Sequence, residues 1–275
     1  MATRDNFDYI ADINFLNVSL LSFTEEQLIK FIFGWCESQE DAKQLEKSIE
    51  KRNLYSVLGN PLLATIACTL ISQGIKVPNC ESRLYEERIR LLTGEYDSAR
   101  EINRQSVRPE ILSEVAKFVA FKMHSLECRS IGKDILQNYL IEKFSRNYSV
   151  NIIINALNEL ITPCNVLILD RETDLISFDH FRYQESLTAQ YIETIQFFEI
   201  VSYLKSEFWT GAFILFAEKK SIVPIIEELV RGDYLYDSYF ETLKAMILNS
   251  SDPKHVRQGQ LEIINMHSSE SSYKL

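Results

Sequence analysis

Asn165-Val166-Leu167-Ile168-Leu169, then Asp170-Arg171-Glu172-Thr173-Asp174, then Leu175-Ile176-Ser177-Phe178: two apolar runs flank a polar stretch of five residues. The runs have strand character, and the residues between them are of the kind that bond to their own backbone in turns. The segment predicts a β-hairpin, the one convincing β element of the chain. Three amphipathic segments precede it. Ile111, Val115, Phe118 and Val119 mark the first, Ile135, Leu136, Tyr139 and Leu140 the second, and Ile153, Ala156, Leu157 and Leu160 the third; all keep helical spacing. Three helices followed by one hairpin is the plan of a winged helix.

The same reading extends in both directions. Upstream, Thr24-Glu25-Glu26-Gln27 has the form of a capping box and opens a helix whose apolar face is Leu28, Phe31, Ile32 and Trp35. Ala42, Leu45 and Ile49 mark a second helix. Asn60 suits an N-cap, Pro61 the first helical position and Gly74 a left-handed stop. Between them Leu62 to Ile71 is apolar nearly all round, which predicts a buried helix. Downstream, a long helix is expected from about His180 to Leu204, then short helices over Phe208 to Phe216, Ile222 to Val230 and Phe240 to Leu248, like the start of a stacked array. The polar, Ser-rich stretch 252–275 predicts a frayed tail.

Composition narrows the function classes. The 275 residues include only 8 Gly and 6 Pro, which favours long helices over a many-stranded sheet. The net charge of -10 disfavours non-specific binding to nucleic acid or to an anionic membrane. No apolar run approaches a membrane span, and no signal peptide is recognisable. The five cysteines lack C-x-x-C spacing and read as reduced thiols of a cytoplasmic protein. His124 and Cys128 are close in sequence, but a structural zinc site needs four such ligands. No G-x-x-x-x-G-K-[ST] phosphate loop occurs in the chain. A DNA-reading winged helix is disfavoured too, because Ser149 to Ile161, the candidate recognition helix, has no Lys or Arg.

Two motifs carry more specific information. The first is Gly59-Asn60-Pro61-Leu62-Leu63, followed by Pro78-Asn79-Cys80-Glu81-Ser82-Arg83-Leu84-Tyr85. The second is Phe178-Asp179-His180-Phe181-Arg182-Tyr183-Gln184-Glu185, with Ala189 four residues on. In this order, separated by a helix-rich stretch and a hairpin, they resemble the back half of NACHT-type STAND NTPases, the signalling ATPases of innate immunity and bacterial defence. That family has N-P-L-L in a short helical domain, then P-x-x-R-x-x-L-Y, then F-x-H-x-x-x-Q-E-x-x-x-A at the end of a winged helix. The departure is Glu81, which stands where the family has arginine.

The resemblance implies a mainly α fold: a helical subdomain, a winged-helix domain with one β-hairpin, and stacked helices. It divides the chain into a remnant of the nucleotide-binding core (1–22), the helical subdomain (23–97), the winged helix (98–195), a helical array (196–251) and the tail (252–275). It implies that Pro61 packs on adenine and that His180 bonds a phosphate of ADP. Arg4, in Ala2-Thr3-Arg4, would be the arginine sensing the terminal phosphate, although no strand-like run precedes it. Asn60, Phe178, Gln184 and Glu185 are structural members of the motifs.

Each of these residues also has a plainer reading. Asn60-Pro61 starts a helix, His180 is a local cap, and Gln184 and Glu185 pin a helix by hydrogen bonds. Acid–base catalysis by His180 and Glu185 is disfavoured because no nucleophile or metal set accompanies them. The cluster of Tyr234, Tyr236 and Tyr239 is either a partner surface or helix packing. The expected activity is regulatory, with no catalysis and no cofactor in the chain alone; ATP or ADP with Mg is implied only for an intact NTPase. Expected partners are a phosphate-loop half or oligomer partner and an unknown protein ligand. A nucleotide-independent interaction scaffold is the alternative.

Overall fold

The computed structural model describes residues 21–98, 105–196, 199–232 and 234–271. Arg4 and residues 1–20 of the expected core remnant lie outside them. The fold is mainly helical with one small antiparallel sheet. It begins with α1 (Glu25–Trp35), α2 (Gln39–Arg52), a short α3 (Tyr55–Leu58), α4 (Pro61–Ser72), α5 (Glu81–Leu92) and a one-turn α6 (Glu95–Ser98). The capping box forms at α1: Thr24 Oγ1 accepts from the Gln27 N–H at 3.2 Å, and Gln27 Oε1 accepts from the Thr24 N–H at 3.0 Å. Its apolar face is narrower than the spacing predicts. Leu28 and Ile32 are buried, whereas Trp35 is 51% exposed and stacks on Phe31.

Helix α4 follows its sequence closely. Asn60 Oδ1 accepts from the Leu62 N–H at 2.9 Å, and Pro61 occupies the first turn. At the far end Gly74 takes φ +71°, and the Gly74 and Ile75 N–H groups bond back to Ile71 and Leu70. This is the Schellman arrangement, which needs a residue free to adopt a left-handed conformation. Leu63, Ala64, Ile66, Ala67, Cys68, Leu70 and Ile71 are all buried.

The winged helix comprises α7 (Pro109–Ser125), β1 (Ser130–Gly132), α8 (Lys133–Phe144), α9 (Val150–Ile161), β2 (Leu167–Asp170) and β3 (Leu175–Phe178). The predicted hairpin pairs Leu167 with Phe178 and Asp170 with Leu175. The sheet has a third strand that the sequence reading lacks: β1 pairs with β3 through Ile131 and Ile176, giving the order β1-β3-β2. Three residues are too few to show alternation, and they are held in extended form by a partner more than forty residues away.

Helix α10 (Phe181–Ile192) corrects the expected helix from His180 to Leu204. It stops where Thr194 Oγ1 donates to the Tyr191 carbonyl at 2.7 Å and Ile195 N–H turns back to Ile192. The Thr194 and Ile195 N–H groups both reach back three residues rather than four, which tightens the last turn. A 3-10 turn at Val201–Lys205 leads into α11 (Glu207–Ala217), α12 (Val223–Arg231), α13 (Phe240–Asn249) and α14 (Lys254–Ser271). Within the stretch 252–275 expected to fray, residues 254–271 form α14, and residues 272–275 lie outside the described ones. Val256, Gln260 and Ile264 recur every fourth residue, and Ile264 is fully buried against the α13 side of the array. Gln260 within this stripe, and the polar residues between its members, mask it in the sequence.

Two cores result. One runs without a break from Leu28 to Ala189, so the first helices and the winged helix share it; Leu215 joins it from α11. The other gathers Ile192, Trp209, Phe213, Leu243, Met246, Ile247 and Ile264. No described helix is long and apolar enough to cross a membrane.

Candidate functional site

The Phe178 to Glu185 motif occupies the junction of β3 and α10. Phe178 is buried at the end of β3. His180 is the N-cap of α10, and its Nδ1 accepts from the Arg182 N–H at 3.3 Å. In the neutral ring the proton is then on Nε2, which makes that nitrogen a donor. The ring is half-buried at the edge of a pocket of about 460 Å³ lined by Arg129, His180, Phe181, Arg182, Glu185, Gly211 and Ile214. Arg129 lies over the Phe181 ring at 4.3 Å.

Arg182 reaches across two helices. Its guanidinium donates to Glu185 Oε2 at 2.9 Å and lies 3.6 Å from Glu81 on α5. Glu185 is only 6% exposed. Burial pushes its carboxyl above the usual carboxylate range, and Arg182 opposes that shift. The space for Glu185 is made by Gly211 on α11, where a Cβ would collide with Glu185 Oε1. A glycine inside a helix costs stability by itself, and here it lets a carboxylate approach the backbone.

Gln184 is fully buried and turns the other way. Its amide donates to the Cys128 carbonyl at 3.0 Å and meets His124 Nδ1 at 3.1 Å. Burial lowers the His124 pKa to about 3, so the ring is neutral and Nδ1 accepts. His124 Nε2 is buried without a hydrogen bond of normal geometry, and the Phe208 backbone opposes the lowering of the pKa. The ring stacks on Phe181 and meets Trp209 edge-on at 5.1 Å. His124 and Cys128 thus come together through Gln184. Among the described residues no group of His, Cys, Asp and Glu could hold a metal ion.

Two further ties join the same elements. Glu218, at the end of α11, accepts from the Ser82 N–H at 2.8 Å and so caps α5. Lys219 lies 2.6 Å from Glu193 and 3.3 Å from Glu86. Asn60 and Pro61 sit elsewhere, at the exposed start of α4, and do not line the His180 pocket. The pocket lining contains no Ser, Thr or Cys, so His180 and Glu185 have no nucleophile beside them there. The sequence reading missed Arg129, Arg182, Gly211 and Lys219 as members of this junction. Arg182 was inside the quoted motif, and Gly211 was legible as an isolated glycine in an apolar helix.

No protein-family model matches the chain, and no curated protein matches it.

Proposed function

We propose that the chain is the regulatory, switching part of a NACHT-type STAND NTPase serving innate-immune or anti-phage defence, without catalysis of its own. The observation that carries this reading is the position of His180. It caps the helix that follows a winged helix, with its ring at the edge of a pocket that also holds Arg129 and Arg182. Helix N-termini favour phosphate, and two guanidinium groups add to that preference. Pro61, exposed at the start of α4, is available to a nucleotide held by a phosphate-loop domain.

A second reading is a nucleotide-independent helical interaction scaffold. It is favoured by the engagement of Arg182 with Glu185 and Glu81, which lowers the net charge of the pocket.

Calorimetry with ADP separates the two. The chain alone is expected to bind no tighter than millimolar, about -4 kcal/mol. In a complex with a phosphate-loop protein captured from the source cell, His180→Ala is expected to weaken ADP retention. The loss of one charge-assisted hydrogen bond corresponds to about 1.5–3 kcal/mol, roughly ten- to hundred-fold. Unchanged retention in that complex would leave the scaffold reading.

A further inference from the structure

The basic residues of this acidic chain are not evenly spread. On α2, Lys43, Lys47 and Lys51 recur every fourth residue along an exposed stripe, opposite the buried Ala42, Leu45 and Ile49. They stand roughly 6 Å apart along the axis at 1.5 Å per residue. Lys76, in the turn after α4, closes the other side of a groove of about 720 Å³. Arg52 is fixed at the groove's end by donating to the Val77 carbonyl at 2.6 Å. The remaining lining is Glu40, Gln44 and Ser48, so five cations face one carboxylate in a chain whose net charge is -10.

Among the described residues none of Lys43, Lys47, Lys51 and Lys76 forms an ion pair. Glu46 and Glu50, also on α2, do not line the groove. A row of unpaired like charges is unfavourable without a counter-charge.

We propose that this groove binds the sugar–phosphate backbone of a nucleic acid, independently of base sequence. The chemistry selects this partner over an acidic peptide. The lining has no apolar pocket for the anchor side chain that peptide recognition relies on. It also has no aromatic platform for bases. What it offers is a line of flexible point charges, suited to a phosphate chain of regular spacing. The net negative charge opposes binding elsewhere on the surface and so confines it to this face. The candidate recognition helix α9, which has no Lys or Arg, has no part in it.

Fluorescence anisotropy of the full chain with labelled 20-nucleotide single and double strands, at stepped KCl from about 50 mM, tests the proposal. Binding to either is expected to weaken with salt at a log–log slope of about -3 to -4, close to -0.9 per phosphate neutralised on a duplex. The triple variant Lys43→Gln, Lys47→Gln, Lys51→Gln keeps good helix formers and should lose at least ten-fold at the lowest salt. The control Lys30→Gln, Lys205→Gln, Lys254→Gln removes the same charge elsewhere and should lose less than three-fold. Melting curves of both variants establish that they are folded. Should the α2 variant unfold, the single change Lys47→Gln, expected to cost two- to five-fold, replaces it. No binding by the native chain, an equal loss in the control, or equal competition by polyglutamate at matched charge overturns the proposal.

Discussion

Gly211 and Glu185 make a test at the scale of single residues. Alanine is favoured over glycine inside a helix by about 1 kcal/mol. At position 211, however, its Cβ would meet Glu185 Oε1, and overpacking of this kind costs about 1–3 kcal/mol. Gly211→Ala is therefore expected to lower stability in urea unfolding. In a Glu185→Ala background the same change should be neutral or stabilising, because the obstacle is gone. Equal effects in both backgrounds would show that the carboxylate does not occupy that space. Gln184 and His180 form a second contrast. Gln184→Ala leaves the Cys128 carbonyl and His124 Nδ1 without their donor, an expected loss of about 1–3 kcal/mol. His180→Ala removes a long cap bond on a half-exposed residue, and its cost should stay near the lower end of cap losses, about 0.5 kcal/mol. These partnerships were hidden from sequence reasoning by distance. His124 and Gln184 lie 60 residues apart, and no local pattern pairs them.

At the scale of elements, what was legible depended on whether an element is specified by its own residues. The hairpin of β2 and β3 and the start of α4 were readable because turn residues, caps and apolar spacing all lie within a few positions. β1 is extended only because β3 is beside it. The end of α10 is marked by the tightened turn at Thr194 and Ile195, whose N–H groups reach back three residues, inside a run that otherwise keeps helical character. α14 is the clearest miss, since its polar residues suggest a tail while Ile264 sits fully buried. Ile264→Ala is expected to cost about 2–4 kcal/mol, the usual price of emptying a buried aliphatic site. A frayed tail would show no change in the urea midpoint. The candidate site divides the same way. Its motif residues were named from sequence, but Arg129, Gly211 and Lys219 belong to it only through packing of α10 on α7, α5 and α11.

For the whole molecule, the ties among α5, α10 and α11 make stability depend on pH. Burial raises the carboxyl pKa of both Glu185 and Glu218. A group whose folded pKa is raised adds stability that is complete below its unfolded value, about 4.3 for glutamate, and is lost as pH rises through the folded value. Between those limits these two residues should make the chain less stable with rising pH. Glu185→Gln with Glu218→Gln is expected to flatten that part of the profile, measured by urea unfolding at closely spaced pH values. An unaltered slope would mean that other groups set it. The bond from Ser82 to Glu218 also has a consequence in time. It spans 136 residues, so α5 leaves the ribosome long before its cap exists. Until α11 docks, the first turn of α5 stays open to water, and the exchange rate of the Ser82 amide hydrogen becomes a clock for the arrival of the last helices.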